Sequence, residues 1–153
     1  MKKVVTIILV SAFMMLSFSC KQNVNNVTTI NEDTFEVNAD NEKIKLAVKE
    51  AQETLDHFIE ELSKHAKDTN YWFVVKSKFE SADYNEHMWV STLGFDNNQF
   101  TGILINEPYW VQNVSIGDTV KIIRTDIEDW VITNDVKQIS EGDFTEKYLF
   151  EEQ

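Results

Sequence analysis

The chain predicts an α+β domain: one long N-terminal helix packed on a curled, mainly antiparallel sheet, or small barrel, of about six strands. Three observations lead there. Apolar residues recur at three- and four-residue steps most clearly between residues 40 and 64. Six later segments are rich in β-branched and aromatic side chains. The Asn, Asp and Gly residues between them suit tight hairpins, which join antiparallel neighbours.

The elements follow in order. Lys2 and Lys3 precede an apolar run from Val4 to Met15, and small residues surround Cys20, so residues 1–19 read as a secretory signal. The run is short for a membrane-spanning helix, which needs about 20 apolar residues. Lys21 to Ala39 is rich in Asn, Thr and Val and reads as a tether, with residues 20–39 reaching on the order of 25 Å as a flexible coil. Within it, Thr34 to Val37 suggests a short edge strand. The remaining residues, 40–153, are enough for one domain and too few for two.

Asp40 or Asn41 suits an N-cap, after which Ile44, Val48, Ala51, Leu55, Phe58, Ile59 and Leu62 form an apolar stripe through Lys64. The predicted strands are Tyr71 to Phe79, His87 to Phe95, Gln99 to Ile105, Thr119 to Thr125, Trp130 to Thr133 and Val136 to Ile139. Asp96-Asn97-Asn98 and Asn134-Asp135 are the predicted hairpin turns, and Gly117-Asp118 opens the fourth strand. The acidic end of the chain suggests one more strand, near Phe144 to Leu149.

Composition excludes several functions. The formal charge is −12, and removing residues 1–19 takes Lys2 and Lys3 and leaves −14. Arg124 is the only arginine. A polyanion would be repelled and would find few bidentate phosphate binders, so nucleic acid is not an expected partner. The four glycines lie far apart, which rules out a phosphate-cradling loop or dinucleotide fingerprint, and no cofactor is expected. No serine sits in a Gly-x-Ser-x-Gly elbow. His57, Glu61 and His65 repeat every four residues along the helix, but two turns, roughly 12 Å, separate the histidines, so a shared metal is not expected.

Leu16-Ser17-Phe18-Ser19-Cys20 resembles the lipobox of bacterial lipoproteins, with Phe18 where a small residue is usual. The resemblance implies lipidation of Cys20 and a location in the bacterial cell envelope, anchored at the outer membrane or the periplasmic face. Cys20 is the only cysteine, so no disulfide competes for its thiol.

Four clusters stand out farther along: Glu86-His87-Met88-Trp89-Val90, Gly102-Ile103-Leu104-Ile105-Asn106-Glu107-Pro108, Gly117-Asp118-Thr119-Val120 and Ile127-Glu128-Asp129-Trp130. In order and spacing they resemble the bacterial YegJ-type family known as domain of unknown function 2314, from about Tyr71 to Thr145. Glu141-Gly142-Asp143-Phe144-Thr145 departs from a more glycine-rich pattern. The resemblance supports the fold and implies no activity.

Trp89 and Trp130 read first as core aromatics, and Gly102 as a point of close approach in the sheet. Glu86, His87, Asn106, Glu107 and Asp129 are the polar candidates for a rim beside those rings. Strand alternation places Glu86 and His87 on opposite faces. The preferred reading is a lipid-anchored binding or interaction module contacting a protein partner or small ligand. The alternative is a small hydrolase-type enzyme with His87 and Glu107 or Asp129 as its acid–base pair.

Overall fold

The computed structural model describes residues 27–31, 34–37 and 41–150, with side chains described from 41 to 147. The predicted signal segment 1–19, Cys20 and residues 151–153 lie outside the described residues.

Strands β1 (Val27–Asn31) and β2 (Thr34–Val37) pair antiparallel in a two-stranded sheet of their own. The predicted edge strand therefore exists, but its partner is the preceding segment Val27–Asn31 and not the main sheet. Helix α1 spans Glu42–His65, and the Asn41 side chain accepts from the Lys43 N–H as N-cap. Its buried face is Ala47, Ala51, Leu55, Phe58 and Leu62. Ile44 and Val48, placed in the stripe by periodicity, are only half-buried, and the stripe rotates onto Ala47.

The main sheet contains β3 (Tyr71–Glu80), β4 (Asn85–Asp96), β5 (Gln99–Leu104), β6 (Thr119–Ile123), β7 (Ile127–Asn134) and β8 (Ile139–Gly142). Their hydrogen-bonded order is β6-β5-β4-β3-β7-β8, with every pair antiparallel. The end strands β6 and β8 do not pair, so the sheet is open and no barrel closes.

The connectivity dictates the curl. Four strand spacings, about 19 Å in a flat sheet, separate β6 from β7. Only the 3-10 turn Arg124–Asp126 joins them, and Ile123 to Ile127 spans at most about 14 Å. The sheet must bend, and it bends around α1. Gln52 of the helix donates to the carbonyls of Arg124 (3.2 Å) and Ile127. Arg124 binds Asp56 at 2.7 Å, and its guanidinium holds that carboxyl below its ordinary pKa. The lone arginine is thus a clasp between helix and sheet.

The core lies between α1 and the concave face. Phe58 sits at its centre, with ring centroids 5.6 Å from Phe73, 5.9 Å from Phe100 and 5.6 Å from Trp130. Gly102 stays small because a Cβ there would strike the Ser91 carbonyl and Val90 on the adjoining strand.

Three local predictions are corrected. Asn97 and Asn98 do form the expected turn, with φ of 49° and 63°. The strand predicted at Val136 instead begins at Ile139, because Asn134 Oδ1 accepts from the Lys137 N–H and Gln138 turns left-handed, making residues 135–138 the turn. The strand predicted from Trp130 begins instead at Ile127 and is bulged, with a register shift opposite Lys76 and Ser77. The extra residue lets Ile127 and Trp130, three apart, both face the core. The segment from Phe144 is no strand but helix α2, Phe144–Phe150.

Candidate functional site

The four sequence clusters come together at the end of the sheet where β3 passes into β4 and β5 leads into the loop before β6. Several of their polar groups are taken up by backbone. Glu86 opens β4, and its carboxylate accepts the N–H groups of Tyr109 (2.8 Å), Trp110 (2.5 Å) and Val111 (3.4 Å). Asn106 Oδ1 accepts the Trp89 N–H at 2.6 Å, extending the β4–β5 ladder by a side chain. Asp118 accepts from the Ser115 N–H at 2.9 Å, and Asn113 donates to the Glu80 carbonyl at 3.1 Å. The loop from residue 105 to 118 is therefore fastened at several points.

Replacing Glu86 by Ala leaves those amides without their acceptor. We expect the melting temperature to fall by only a few degrees, since the site is solvent-accessible and water replaces the lost acceptor, so that the bonds together contribute about 1 kcal/mol net. The amide exchange of Tyr109 to Val111 should accelerate at least about tenfold. Unchanged protection there would show that Glu86 does not hold the loop.

Asp129 is fully buried at the β7 bulge. Its carboxylate accepts from the backbone N–H of Trp130 (2.7 Å), Phe144 (3.1 Å) and Thr145 (2.7 Å), and from the Thr145 hydroxyl (2.7 Å). It caps α2, whose first N–H groups have no helical acceptor. Burial raises the Asp143 carboxyl above its ordinary pKa, with the charges of Glu146 and Asp129 adding to the shift. Trp130 lies in the core and donates Nε1–H to the Ala51 carbonyl at 3.1 Å.

Trp89 points the other way, toward the sheet face turned from α1. Its Nε1–H donates to Glu146 at 2.9 Å, and the Lys76 ammonium lies 5.1 Å from its ring centre. It is half-buried beside α2 and is not a core residue.

His87 shares that face with Trp89, while Met88 and Val90 point into the core and Glu86 turns to the loop. Alternation separates Glu86 from His87 as the sequence predicts. The His87 Nδ1–H donates to Glu128 at 2.5 Å. Neither carboxylate proposed from sequence is its partner: Asp129 is consumed by α2, and Glu107 is exposed at the start of the loop. Glu128 was missed because only the bulge turns it toward β4.

The remaining histidines are also engaged. His57 meets Glu141 at 2.6 Å, and His65 stacks on Tyr71 with centroids 4.2 Å apart. His65 also lies 3.6 Å from Glu61, one turn earlier on α1. Among the described residues, no three His, Cys, Asp or Glu side chains gather so as to hold a metal. An open cleft of about 410 Å³ lies at the opposite end, lined by Ile59, Leu62, Ser63, Ala66, Gly94 and Phe95, and no candidate residue lines it.

Two exposed apolar groups escaped the sequence reading. Trp72 is 53% exposed and lies across the outer face, donating to the Ser91 hydroxyl at 3.1 Å, and Leu93 on the same strand as Ser91 is 60% exposed. Their signal was present in Tyr71-Trp72-Phe73-Val74-Val75, which is apolar at both alternating parities. Tyr84, Tyr109 and Trp110 form a second group on the fastened loops.

Comparison with known proteins gives relatives without an assigned activity. The chain is 35% identical over 94 residues to an uncharacterized protein, YegJ, of Escherichia coli (strain K12), covering 61% of this chain and 60% of that one. It is 38% identical over 52 residues to a putative ankyrin repeat protein of Neisseria meningitidis serogroup B, covering 34% of this chain and 21% of that one. No solved structure matches. The family model described as an uncharacterized protein conserved in bacteria matches residues 41–153, from the cap of α1 onward, and the chain belongs to that family, DUF2314.

Proposed function

We propose that the protein is a lipid-anchored binding module of the bacterial cell envelope, and that its contact surface is the sheet face turned away from α1. The observation that carries this reading is Trp72, more than half exposed and lying over Ser91 on a face whose opposite side holds the core. Around it, Leu93 is exposed and Ile103 and Val131 are half-buried in the row that includes Ser91 and Val74. An apolar patch of contiguous residues at this size of domain supports a contact role more than scattered single residues would. The net charge of −12 favours a basic protein as the occupant, since opposite charge steers encounter and the apolar stripe supplies the anchor. The signal-like segment and Cys20 support the envelope location.

A hydrolytic function has less support. It rests on the His87–Glu128 pair alone, which is half-exposed on the histidine side, and on no second carboxylate, because Asp129 is committed to α2.

The test is capture from envelope extract by the full-length protein and by Trp72→Ala. The wild type should retain a basic partner, and the variant should lose it at least about tenfold, the cost of one buried aromatic anchor. The two should melt alike, because Trp72 contributes little to the core. Equal capture by both, or capture by neither, would count against the module.

A further inference from the structure

We propose that Tyr84, Tyr109 and Trp110 seat the aromatic end of the body in the interfacial zone of the membrane that carries Cys20, with an electroneutral headgroup layer as the surface they enter. This rests on the lipid anchor of the preceding section.

The rings form one group. Trp110 stacks on Tyr84 at 5.2 Å between centroids and meets Tyr109 edge to face at 4.5 Å. Contact with one another leaves them 40–54% exposed. Ile116, on the same loop, is 52% exposed. Tryptophan and tyrosine suit the headgroup level because each has an apolar body and a polar tip. Glu86 fastens the backbone of Tyr109 and Trp110, so the rings are ordered before any surface is met and docking loses less conformational freedom.

The second observation is where the chain leaves the body. Ala51, near the start of α1, contacts Trp130 close to the bulged start of β7, and His65 at the helix end stacks on Tyr71 at the start of β3. The helix therefore begins at the end of the sheet where β3 finishes and the aromatic loops lie. Asn41, the N-cap of α1, lies at that same end.

The third is the length of that stretch. The β1–β2 hairpin pairs Val27 with Val37, so the residues between them add about one strand spacing of reach. The seven steps from Cys20 to Val27 and the four from Val37 to Asn41 span about 40 Å fully extended. Helix α1 is itself about 36 Å long. Turning the opposite end to the membrane would need nearly full extension along the body, whereas presenting the aromatic end needs almost none. Asp83 and Glu107 are exposed on the same loops and the chain is acidic, so an anionic surface would repel it and an electroneutral one would not.

The experiment uses the lipid-bearing protein purified from its membranes and reconstituted into phosphatidylcholine vesicles brominated near the headgroup. Flotation reports the anchor, and quenching of tryptophan emission reports docking. Wild type should float and be quenched; Trp110→Phe should float equally, melt alike and show at least twofold less quenching. Flotation with no quenching, or with equal quenching in the variant, overturns docking and leaves the anchor standing. Failure to float overturns both.

Discussion

Gly142→Ala is expected to lower stability by about 3 kcal/mol, which in a domain of this size moves the melting temperature down by about 15 °C. Two physical terms add. Gly142 has φ of +88°, where a Cβ costs roughly 1–2 kcal/mol. The new methyl would also be driven into the Trp130 carbonyl and the edge of its ring, which β8 relieves only by lifting off β7. Gly117→Ala separates the terms: its φ is also +88°, but nothing lies within 4 Å of the added carbon. We expect it to cost about 1 kcal/mol. Thermal melts of the two variants check the argument. If they fall equally, close packing on Trp130 has no part in the requirement for glycine.

Asp129→Asn is expected to cost about 3 kcal/mol and to release α2. The replaced oxygen becomes an NH₂ facing N–H and O–H donors, so at least one buried donor loses its acceptor and two donors oppose each other. Amide exchange from Phe144 to Lys147 should rise far more than exchange in β3 or β4, because only α2 depends on the cap. Trp89 should report the same event, since its Nε1–H donates to Glu146 on that helix. A variant that melts within a degree or two of wild type would exclude the capping role. A catalytic carboxylate would behave otherwise, losing turnover while α2 stayed in place.

These two residues show how far the sequence could be read. Helix α1, β3 to β5 and the Asn97-Asn98 hairpin follow from periodicity and from local φ preferences, which act within a few residues. The segment from Phe144 is too short to declare a period. It becomes a helix because Asp129, fifteen residues earlier in the chain, supplies acceptors for its first N–H groups. The strand predicted at Val136 slipped by three residues because a hydrogen bond from the Lys137 N–H to the Asn134 side chain lengthens the turn.

The candidate site divides in the same way. Residue types were legible: Glu86, His87, Asn106 and Asp129 were recognised as polar groups beside aromatics. Their tasks were not, since a carboxylate that receives backbone N–H groups and one that waits for a ligand are the same letters in sequence. His87 found Glu128 because the bulge adds one residue to β7 and turns that side chain across the sheet.

By itself the sequence determined the fold class, the Asn97-Asn98 turn, the acidic charge and the family resemblance. Each depends on spacing along the chain or on composition. The tertiary structure alone decided between the two forms the sequence left, a curled open sheet and a closed barrel, because the end strands β6 and β8 do not pair. It decided that the acids of the motifs fasten loops, and that the apolar surface left over is Trp72 with Leu93 on one face and the aromatic group at the end where α1 begins. Those outcomes depend on which distant segments meet, and contact between distant segments is set by packing and loop closure rather than by local preference.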